Sequence, residues 1–237
     1  MTRYIAIGDV HGQHRLLHQA VQDLDDGDTF FILLGDLNDS RLKGLAQTRA
    51  SSLECIRIAM GLMNRRVGVT LQSNHGAYLY RALLGGEILP YSTMGLSHTL
   101  QEMNLLPQES QQRVGNWLQG LPYYWTVTTS TSTTANRTWY AAHGMWVPGM
   151  SQWRPKHEHV QASVYGKGSL GKRAKFWEDQ EYIQALPPNT YTISGHYHKV
   201  IMEPPCYVID KGCGNGGPLM GLCLNDLKEY EWSEPYL

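Results

Sequence analysis

The stretch RYIAIGDVHG, residues 3–12, joins a short apolar run to a turn that contains glycine, aspartate and histidine. A run of this length, rich in apolar residues and stopped by glycine, predicts a buried β-strand. The segment HRLLHQAVQDL that follows places its apolar residues at helical intervals, at Leu16, Leu17, Ala20, Val21 and Leu24. The stretch therefore predicts a strand, a polar loop and a helix, with aspartate and histidine in the loop.

The same unit recurs along the first third of the chain. TFFILLG reads as a second buried strand, SLECIRIAMGLMNRR as an amphipathic helix, and VGVTLQ as a third strand that leads into AYLYRALLGG. Strands that alternate with helices predict a mostly parallel sheet covered by helices, with the functional loops at the carboxyl ends of the strands. The last third alternates β-type runs with glycine-rich turns, which predicts a second sheet.

The length and composition indicate one domain. A chain of 237 residues with 42% hydrophobic residues can bury a sizeable core, and we expect a single domain over residues 1–237. The polar stretch STSTTANRT lies between two β-type runs and predicts an exposed hairpin insertion near residues 129–138.

The charge balance limits the classes of partner. A net charge of -1 and a pI near 6.8 argue against a broad basic surface for duplex nucleic acid or for an anionic membrane. The four cysteines have no CxxC spacing and are too few for a disulfide framework, which indicates a reducing compartment. The chain shows neither a signal sequence nor an apolar run of membrane-spanning length, so we expect a soluble, cytoplasmic protein.

Five short segments share one pattern, in which a β-type run ends in small residues and then aspartate, asparagine or histidine. They are IGDVHG, LGDLND, QSNHG, AAHG and SGHYH, and they place at strand ends Asp9, His11, Asp36, Asp39, Asn74, His75, His143, His196 and His198. One such segment is commonly a turn or a helix cap, but five in succession predict a functional site. Carboxylates, imidazoles and an amide without thiolate suit divalent manganese, iron, zinc or nickel, and the set is large enough for two adjacent ions that share a carboxylate.

In this order the segments resemble the signature of the calcineurin-like metallophosphoesterases, which is GDxHG, GDxxDRG, GNHE, a histidine before glycine, and GHxH. The resemblance covers essentially the whole chain. LYRALLGG, VYG and VIDKGCGNGGPLMGL are similar to the branch of bacterial and phage-type serine/threonine protein phosphatases, symmetrical diadenosine tetraphosphatases and bacterial polynucleotide kinase-phosphatases. The resemblance implies an α/β fold, a four-layer α/β/β/α sandwich of the metallo-dependent phosphatase type, with a dimetal centre between the sheets.

The resemblance also implies a role for each motif residue. One divalent ion would be held by Asp9, His11 and His198, the other by Asn74, His143 and His196, with Asp36 shared between them. Manganese is the first choice, and iron, zinc and nickel are alternatives. A hydroxide that bridges the ions would attack a phosphomonoester or phosphoanhydride. His75 would then protonate the leaving group while Asp39 orients the imidazole.

Two segments depart from the signature. GDLNDSR places Ser40 where the family has its phosphate-binding arginine and Arg41 one residue later, so Arg41 either reaches the phosphate or points into solvent. QSNHG has Ser73 where glycine would ease a tight turn, so the backbone there is either ordinary or mildly strained. Gly76 removes an acidic side chain from the same motif, and support of the metal ligands would be weaker.

Further residues are candidates for substrate contacts. Arg173 lies with Lys172 and Lys175 in a stretch where relatives often have a phosphate-binding arginine, although ordinary surface charge is an equal interpretation. Asp210 matches an aspartate of the family's Ile-Asp-x-Gly-Cys segment and would either orient a ligand histidine or simply form a turn. The tryptophans at positions 146 and 153 would either stack on a nucleobase or pack a loop against the sheet.

The sequence leaves the substrate open. The leading interpretation is a serine/threonine-phosphatase-like phosphoesterase that acts on a phosphorylated partner, either a phosphoprotein or a nucleotide. The alternatives are a symmetrical dinucleoside tetraphosphatase and a phosphatase or phosphodiesterase for RNA ends or cyclic nucleotides. A metal-binding interaction module that has lost catalysis is the alternative outside the enzymes, because two motifs are altered.

Overall fold

The computed structural model describes residues 2–42, 50–86, 95–130, 136–150, 157–166 and 175–234. The helices in these ranges are α1 (His14–Leu24), α2 (Ser52–Asn64), α3 (Asn74–Leu83), α4 (Leu96–Met103), α5 (Gln108–Gln119), α6 (His157–Tyr165) and α7 (Gln180–Ala185). The strands are β1 (Arg3–Ile7), β2 (Thr29–Leu33), β3 (Gly68–Thr70), β4 (Tyr124–Thr129), β5 (Arg137–Ala142), β6 (Thr190–Ser194), β7 (Val200–Glu203), β8 (Cys206–Ile209), β9 (Leu219–Cys223) and β10 (Glu229–Trp232). No helix in these ranges is long and apolar enough to cross a lipid bilayer.

The strands form two five-stranded sheets. The first has the order β10-β9-β1-β2-β3, and the second has the order β4-β5-β6-β8-β7. Strands β1, β2 and β3 are parallel, as are β5, β6 and β8, but β9, β10, β4 and β7 pair antiparallel. The three strands of the first third are parallel as expected, but the expectation of a mostly parallel sheet was wrong for β9 and β10, which the end of the chain adds to that sheet. Strands joined by short turns, such as β9 and β10, can pair antiparallel without a helical crossover.

The apolar core is divided into layers. Residues from the inner faces of both sheets form one cluster, in which Trp139 and Tyr207 of the second sheet meet Ile32 and Leu34 from the β2 region of the first. Leu17 of α1 and Ile56 of α2 belong to the cluster on the outer face of the first sheet. Smaller clusters cover the outer face of the second sheet. The predicted four-layer α/β/β/α sandwich is thus confirmed.

The strands on either side of the Ser/Thr-rich stretch pair with each other. Strands β4 and β5 pair antiparallel, with Thr129 opposite Arg137 at the last described pair. Residues 131–135, at the predicted tip, lie outside the described residues. Between the ends of these two strands, Ser130 donates a hydrogen bond to Oδ1 of Asn136 at 3.0 Å.

The two sheets approach each other closely at the carboxyl end of β1. Gly8 follows β1 and donates its N–H to the carbonyl oxygen of Met220, in β9 of the same sheet, at 2.9 Å. A Cβ atom at Gly8 would lie 2.0 Å from the carbonyl oxygen of Ile209 in β8, which is closer than any real contact. Because this oxygen belongs to the backbone of the second sheet, it cannot move aside as a side chain could. Glycine at this position therefore sets how closely the sheets pack beside the polar loops.

We expect Gly8→Ala to destabilise the protein by about 3 kcal/mol, because the added methyl group forces the sheets apart. Gly61→Ala is the matched control, since nothing lies within 4 Å of a Cβ there and the residue is inside α2. That substitution should stabilise the protein by about 0.5–1 kcal/mol through helix propensity. Denaturant unfolding measures both changes. Equal stability of Gly8→Ala and the wild type would contradict the close approach.

Candidate metal centre

Loops at the ends of β1, β2, β3, β5 and β6 place the motif side chains together between the two sheets. At the centre lies the carboxylate of Asp36, which follows β2. Its Oδ2 atom lies 3.5 Å from Nε2 of His11, 3.5 Å from Nε2 of His143 and 4.0 Å from Nε2 of His75. The main-chain N–H of His75 donates to Oδ1 at 3.2 Å. One buried carboxylate therefore contacts groups from three different strand ends.

Backbone carbonyls determine which imidazole nitrogens are free to bind a metal. Nδ1 of His11 lies 3.0 Å from the carbonyl oxygen of Asn38, and Nδ1 of His143 lies 3.0 Å from that of Leu34. A carbonyl oxygen only accepts, so both Nδ1 atoms must be protonated donors. In the neutral imidazole, Nε2 then has a lone pair that faces Asp36. This is the arrangement in which protein histidines bind metals.

A second group of acceptors converges near Asp36, around Nε2 of His143. Nε2 of His143 lies 2.9 Å from Oδ1 of Asn74 and 3.1 Å from Nδ1 of His196. The His143 nitrogen and the Asn74 oxygen both present lone pairs, so no proton can be shared between them. Asp36, His143 and His196 together offer ligand atoms that all lie within 4.8 Å of one another. A divalent cation fits this set of donors.

The remaining two predicted ligands, Asp9 and His198, lie at the edge of this group. Both carboxylate oxygens of Asp9 accept the N–H of His196 at 3.0 Å, and Oδ2 lies 3.9 Å from Nε2 of His11. His198 donates its N–H to Oδ2 of Asp210 at 2.6 Å. Asp210 is buried and also accepts the N–H of Gly212 at 2.9 Å, so its carboxylate holds the backbone that carries His198.

Burial and the neighbouring charges both shift the pKa values of the titrating groups. Burial lowers the pKa of His11 to about 4 and also lowers the pKa of His143, which keeps both imidazoles neutral. Burial, together with repulsion from Asp210 and Asp36, raises the pKa of Asp9 well above its ordinary value. Burial also disfavours ionised Asp36, but attraction to the nearby imidazoles, His75 among them, outweighs burial and holds the pKa of Asp36 well below the ordinary range. A cation bound among these groups would let Asp9 ionise as well.

His75 and Asp39 form a separate pair beside this group. Nδ1 of His75 donates to Oδ2 of Asp39 at 2.7 Å, and both side chains are buried. Burial and the Arg41 charge both lower the pKa of His75, but the carboxylates of Asp36 and Asp39 overcome them and raise it above its ordinary value. An imidazole that stays protonated near neutral pH can act as a proton donor.

Arg41 points into the centre. Its Nη1 lies 3.2 Å from Nε2 of His198, and its Nη2 lies 3.3 Å from Nε2 of His75. The guanidinium therefore lies against the edges of both imidazole rings, on the open side of the site. The sequence left open whether the Arg41 side chain faces the site or points into solvent. In the structure its guanidinium faces the site.

Ser73 connects two of the ligand loops. Its Oγ accepts the N–H of Asp36 at 3.0 Å and the N–H of Gly76 at 3.2 Å, and so caps α3. The sequence left open whether the backbone at Ser73 is ordinary or mildly strained. Its φ of -135° is ordinary extended backbone. The hydroxyl therefore supports the backbone of Asp36 and the first turn that presents Asn74.

Strained backbone is concentrated at these loops. Eight non-glycine residues in the described part of the chain have positive φ. Five of them belong to the predicted site, namely His11, Asp36, Asp39, His196 and His198. Such conformations cost on the order of 1–3 kcal/mol each and persist where the surrounding contacts fix them. The strain thus marks the loops in which side-chain direction matters most.

Other predicted contacts have different outcomes. Arg173, Lys172 and the tryptophan at position 153 lie outside the described residues. Trp146 is buried and stacks on Tyr140 with ring centroids 3.9 Å apart, so it packs a loop and offers no face to a nucleobase. Lys175 forms an exposed ion pair with Glu178 at 3.3 Å.

The sequence did not single out the residues that surround Asp39. Helix α4 supplies Thr99, and the start of α2 supplies Ser52, and both hydroxyls contact Asp39. Glu102 of α4 accepts the Oγ–H of Ser51 at 2.8 Å and the N–H of Leu53 at 2.9 Å. The available signal in the sequence was that Thr99 and Glu102, three residues apart in a short helix, place two polar side chains on one face of it.

The sequence matches no protein-family model and no curated protein. Several solved structures are similar to almost the whole chain, but the similarity lies in the fold, since the sequence identities are low. A candidate diadenosine tetraphosphatase is 16% identical with a TM-score of 0.63, covering 98% of this chain and 93% of its own. A protein serine/threonine phosphatase from Saccharomyces cerevisiae is 10% identical with a TM-score of 0.59, covering 100% and 81%. A mutant of a cold-active protein tyrosine phosphatase is 14% identical with a TM-score of 0.53, covering 98% and 80%.

These similarities show that the chain shares the fold of these three structures. The shared fold agrees with the one that the resemblance of the five motifs implies.

We expect divalent manganese to raise the thermal unfolding temperature of chelator-treated protein, because a cation bound only by the folded state stabilises it. At a concentration about 100 times the dissociation constant, the gain is about 2.7 kcal/mol. Asp36→Asn should abolish most of the shift. Asp226→Asn, an exposed carboxylate in the turn between β9 and β10, should leave the shift intact. An unchanged unfolding temperature in the wild type would contradict a metal centre.

Proposed function

We propose that this chain is a metal-dependent phosphoesterase that hydrolyses phosphomonoesters of alcohols. The observation that carries the proposal is the hydrogen-bonded pair of His75 and Asp39, at 2.7 Å, directly beside the ligand group around Asp36. A metal site alone would serve many functions. A protonated imidazole held next to it is specifically useful for releasing an alkoxide.

We assign the metal-binding role to the motif residues of the two sheets. Asp9, His11 and His198 would hold one ion and Asn74, His143 and His196 the other, with Asp36 shared. Manganese is our first choice for an oxygen and nitrogen site of this kind, and iron, zinc and nickel are the alternatives. When bound, two such ions would activate water near neutral pH and offset the charge that develops on the phosphoryl group.

His75 is the proton donor in this proposal. Asp39 binds Nδ1, so Nε2 is the nitrogen directed toward the site, 4.0 Å from Asp36 Oδ2. The leaving oxygen of an alcohol ester departs as a strong base unless it receives a proton. Nε2–H can supply that proton, and Asp39 stabilises the imidazolium before transfer.

Arg41 is the phosphate-binding residue in this proposal. Its guanidinium already lies between His75 and His198, where a phosphate bound at the ligand group would be adjacent. Phosphate oxygens are strong, charged acceptors for a guanidinium, whereas a protonated Nε2 of His75 offers it no acceptor. The shift of the arginine by one residue, relative to the motif it resembles, is therefore compatible with phosphate binding.

The proton donor favours alcohol esters over phosphoanhydrides. A phosphate leaving group is already a stable anion and gains less from protonation than an alkoxide does. In addition, buried Trp146 offers no stacking surface for a base. A phosphorylated alcohol side chain is thus our first choice of substrate class. We place the protein in the cytoplasm, because its four cysteines are free and buried.

A panel of substrates tests the proposal. The protein, with added manganese, is offered a serine phosphopeptide, diadenosine tetraphosphate, a 3′-phosphate nucleotide and a 2′,3′-cyclic nucleotide. Metal-dependent turnover should be fastest on the phosphopeptide. Preference for diadenosine tetraphosphate or for the nucleotides would replace our substrate class. Absence of turnover on every member, with Asp36→Asn as the inactive reference, would favour a metal-binding interaction module.

We expect His75→Asn to lower turnover of an alkyl phosphate by about 10²–10⁴-fold, the usual contribution of a general acid. Metal content, measured by elemental analysis, should be unchanged. His18→Asn, an exposed histidine on α1, is the control and should behave as the wild type. Full activity of His75→Asn on the alkyl ester would remove the proton-donor role.

We expect Arg41→Ala to raise the KM for a phosphomonoester about tenfold or more, because a charge-assisted hydrogen bond to phosphate is lost. Arg41→Lys should recover part of the affinity, since it restores the charge without the planar fork. Steady-state kinetics give both values. A KM equal to that of the wild type in Arg41→Ala would mean that another cation binds the phosphate.

A further inference from the structure

The hydroxyl of Thr99 in α4 contacts Asp39 through both its carboxylate and its backbone. It donates to Oδ1 of Asp39 at 2.6 Å and accepts the main-chain N–H of the same residue at 3.2 Å. Thr99 is completely buried, as is Asp39. The other carboxylate oxygen, Oδ2, is the one that accepts from Nδ1 of His75. Asp39 is therefore held on one side by Thr99 and on the other by His75.

The protons in this cluster have one consistent assignment. Thr99 has a single hydroxyl proton, which is donated to the carboxylate because a carboxylate cannot donate. The contact of 2.9 Å between Thr99 Oγ1 and Ser52 Oγ then requires Ser52 to be the donor. Ser52 also accepts the N–H of Asp39 at 3.2 Å. Hydrogen bonds thus converge on the Asp39 carboxylate, from Ser52 through Thr99 on one side and from Nδ1 of His75 on the other.

The position of α4 makes this contact rigid. The helix begins after Gly95, where a Cβ atom would lie 2.8–2.9 Å from the backbone and Cβ of Asp39. One turn after Thr99, Glu102 accepts hydrogen bonds from the first residues of α2 and fixes the helix at its other end. Asp39 itself has a φ of 68°, a conformation that needs such support.

We propose that Thr99 is a positioning residue for proton donation by His75, an inference that rests on the function proposed above. By binding Oδ1, the hydroxyl fixes the rotation of the Asp39 carboxylate, so that Oδ2 faces Nδ1 of His75. Without it, the carboxylate can rotate about its χ2 bond and a buried acceptor loses its partner. The imidazole would then lose the alignment that directs Nε2 toward the leaving group.

Three variants isolate this role. Thr99→Val keeps the shape of the side chain and removes the hydroxyl, Thr99→Ala removes it without risk of a clash, and Thr99→Ser restores it. Thr70→Val is the matched control, because Thr70 is equally buried and its hydroxyl has no hydrogen-bond partner among the described residues. Each variant is compared on an alkyl phosphate, which needs a proton donor, and on a nitrophenyl phosphate, which does not.

We expect Thr99→Val and Thr99→Ala to lower kcat on the alkyl phosphate by about 10- to 100-fold, and on the nitrophenyl phosphate by much less. Thr99→Ser and Thr70→Val should retain kcat on both esters within about twofold, since Ser keeps the hydroxyl and Thr70 has no partner to lose. A purely structural role would lower both reactions equally. An equal loss on both esters, or no loss on either, would overturn the proposal.

A second measurement does not depend on turnover. The Nδ1 proton of His75 should give a downfield proton resonance in the wild type, which is identified by its absence in His75→Asn. It should weaken or shift in Thr99→Val and remain in Thr99→Ser. If the wild type hydrolyses neither ester, the proposed function fails, and this resonance alone decides the positioning role. An identical resonance in the wild type and Thr99→Val would refute that role.

Discussion

The interaction on which the site depends is the approach of lone pairs around the carboxylate of Asp36. His11 and His143 donate their Nδ1 protons to backbone carbonyls, which leaves unprotonated Nε2 atoms 3.5 Å from Asp36 Oδ2. Acceptors that face one another without a proton repel each other in a buried site. A divalent cation reverses the sign of that interaction. The close packing of the two sheets at Gly8 and the strained loops are the structural conditions that hold these acceptors together.

Support for these groups comes from residues that the family signature does not specify. Ser73, where the resembled motif has glycine, accepts the N–H of Asp36 and caps the helix that carries Asn74 and His75. The serine thus adds a connection between two ligand loops, and the loss of an acidic residue at Gly76 leaves that connection intact. Helix α4 acts in the same way on Asp39. The altered motifs are therefore locally compensated.

The sequence predicted the features that depend on local pattern. Apolar runs that alternate with helical spacing predicted strands and helices in the order that the structure has. Polar residues at strand ends, such as Asp9 and Asp36, were predicted to form a site, and the structure brings them together. The antiparallel strands were predicted less well, because the pairing of β9 with β1 is a long-range contact that has no local signal in the sequence. Thr99 was missed for a similar reason: its partner, Asp39, is sixty residues away in the chain. The direction of Arg41 depended on loop geometry that spacing alone cannot determine.

The number of metal ions bound per chain decides whether Asp36 joins two groups of ligands. Native mass spectrometry of chelator-treated protein, titrated with manganese, counts the ions bound to each chain. If Asp36 joins two groups of ligands, the wild type should bind two ions per chain, and Asp36→Asn should lose both at the same manganese concentration. A wild-type protein that binds one ion or none, or an Asp36→Asn variant that retains two, would contradict the account.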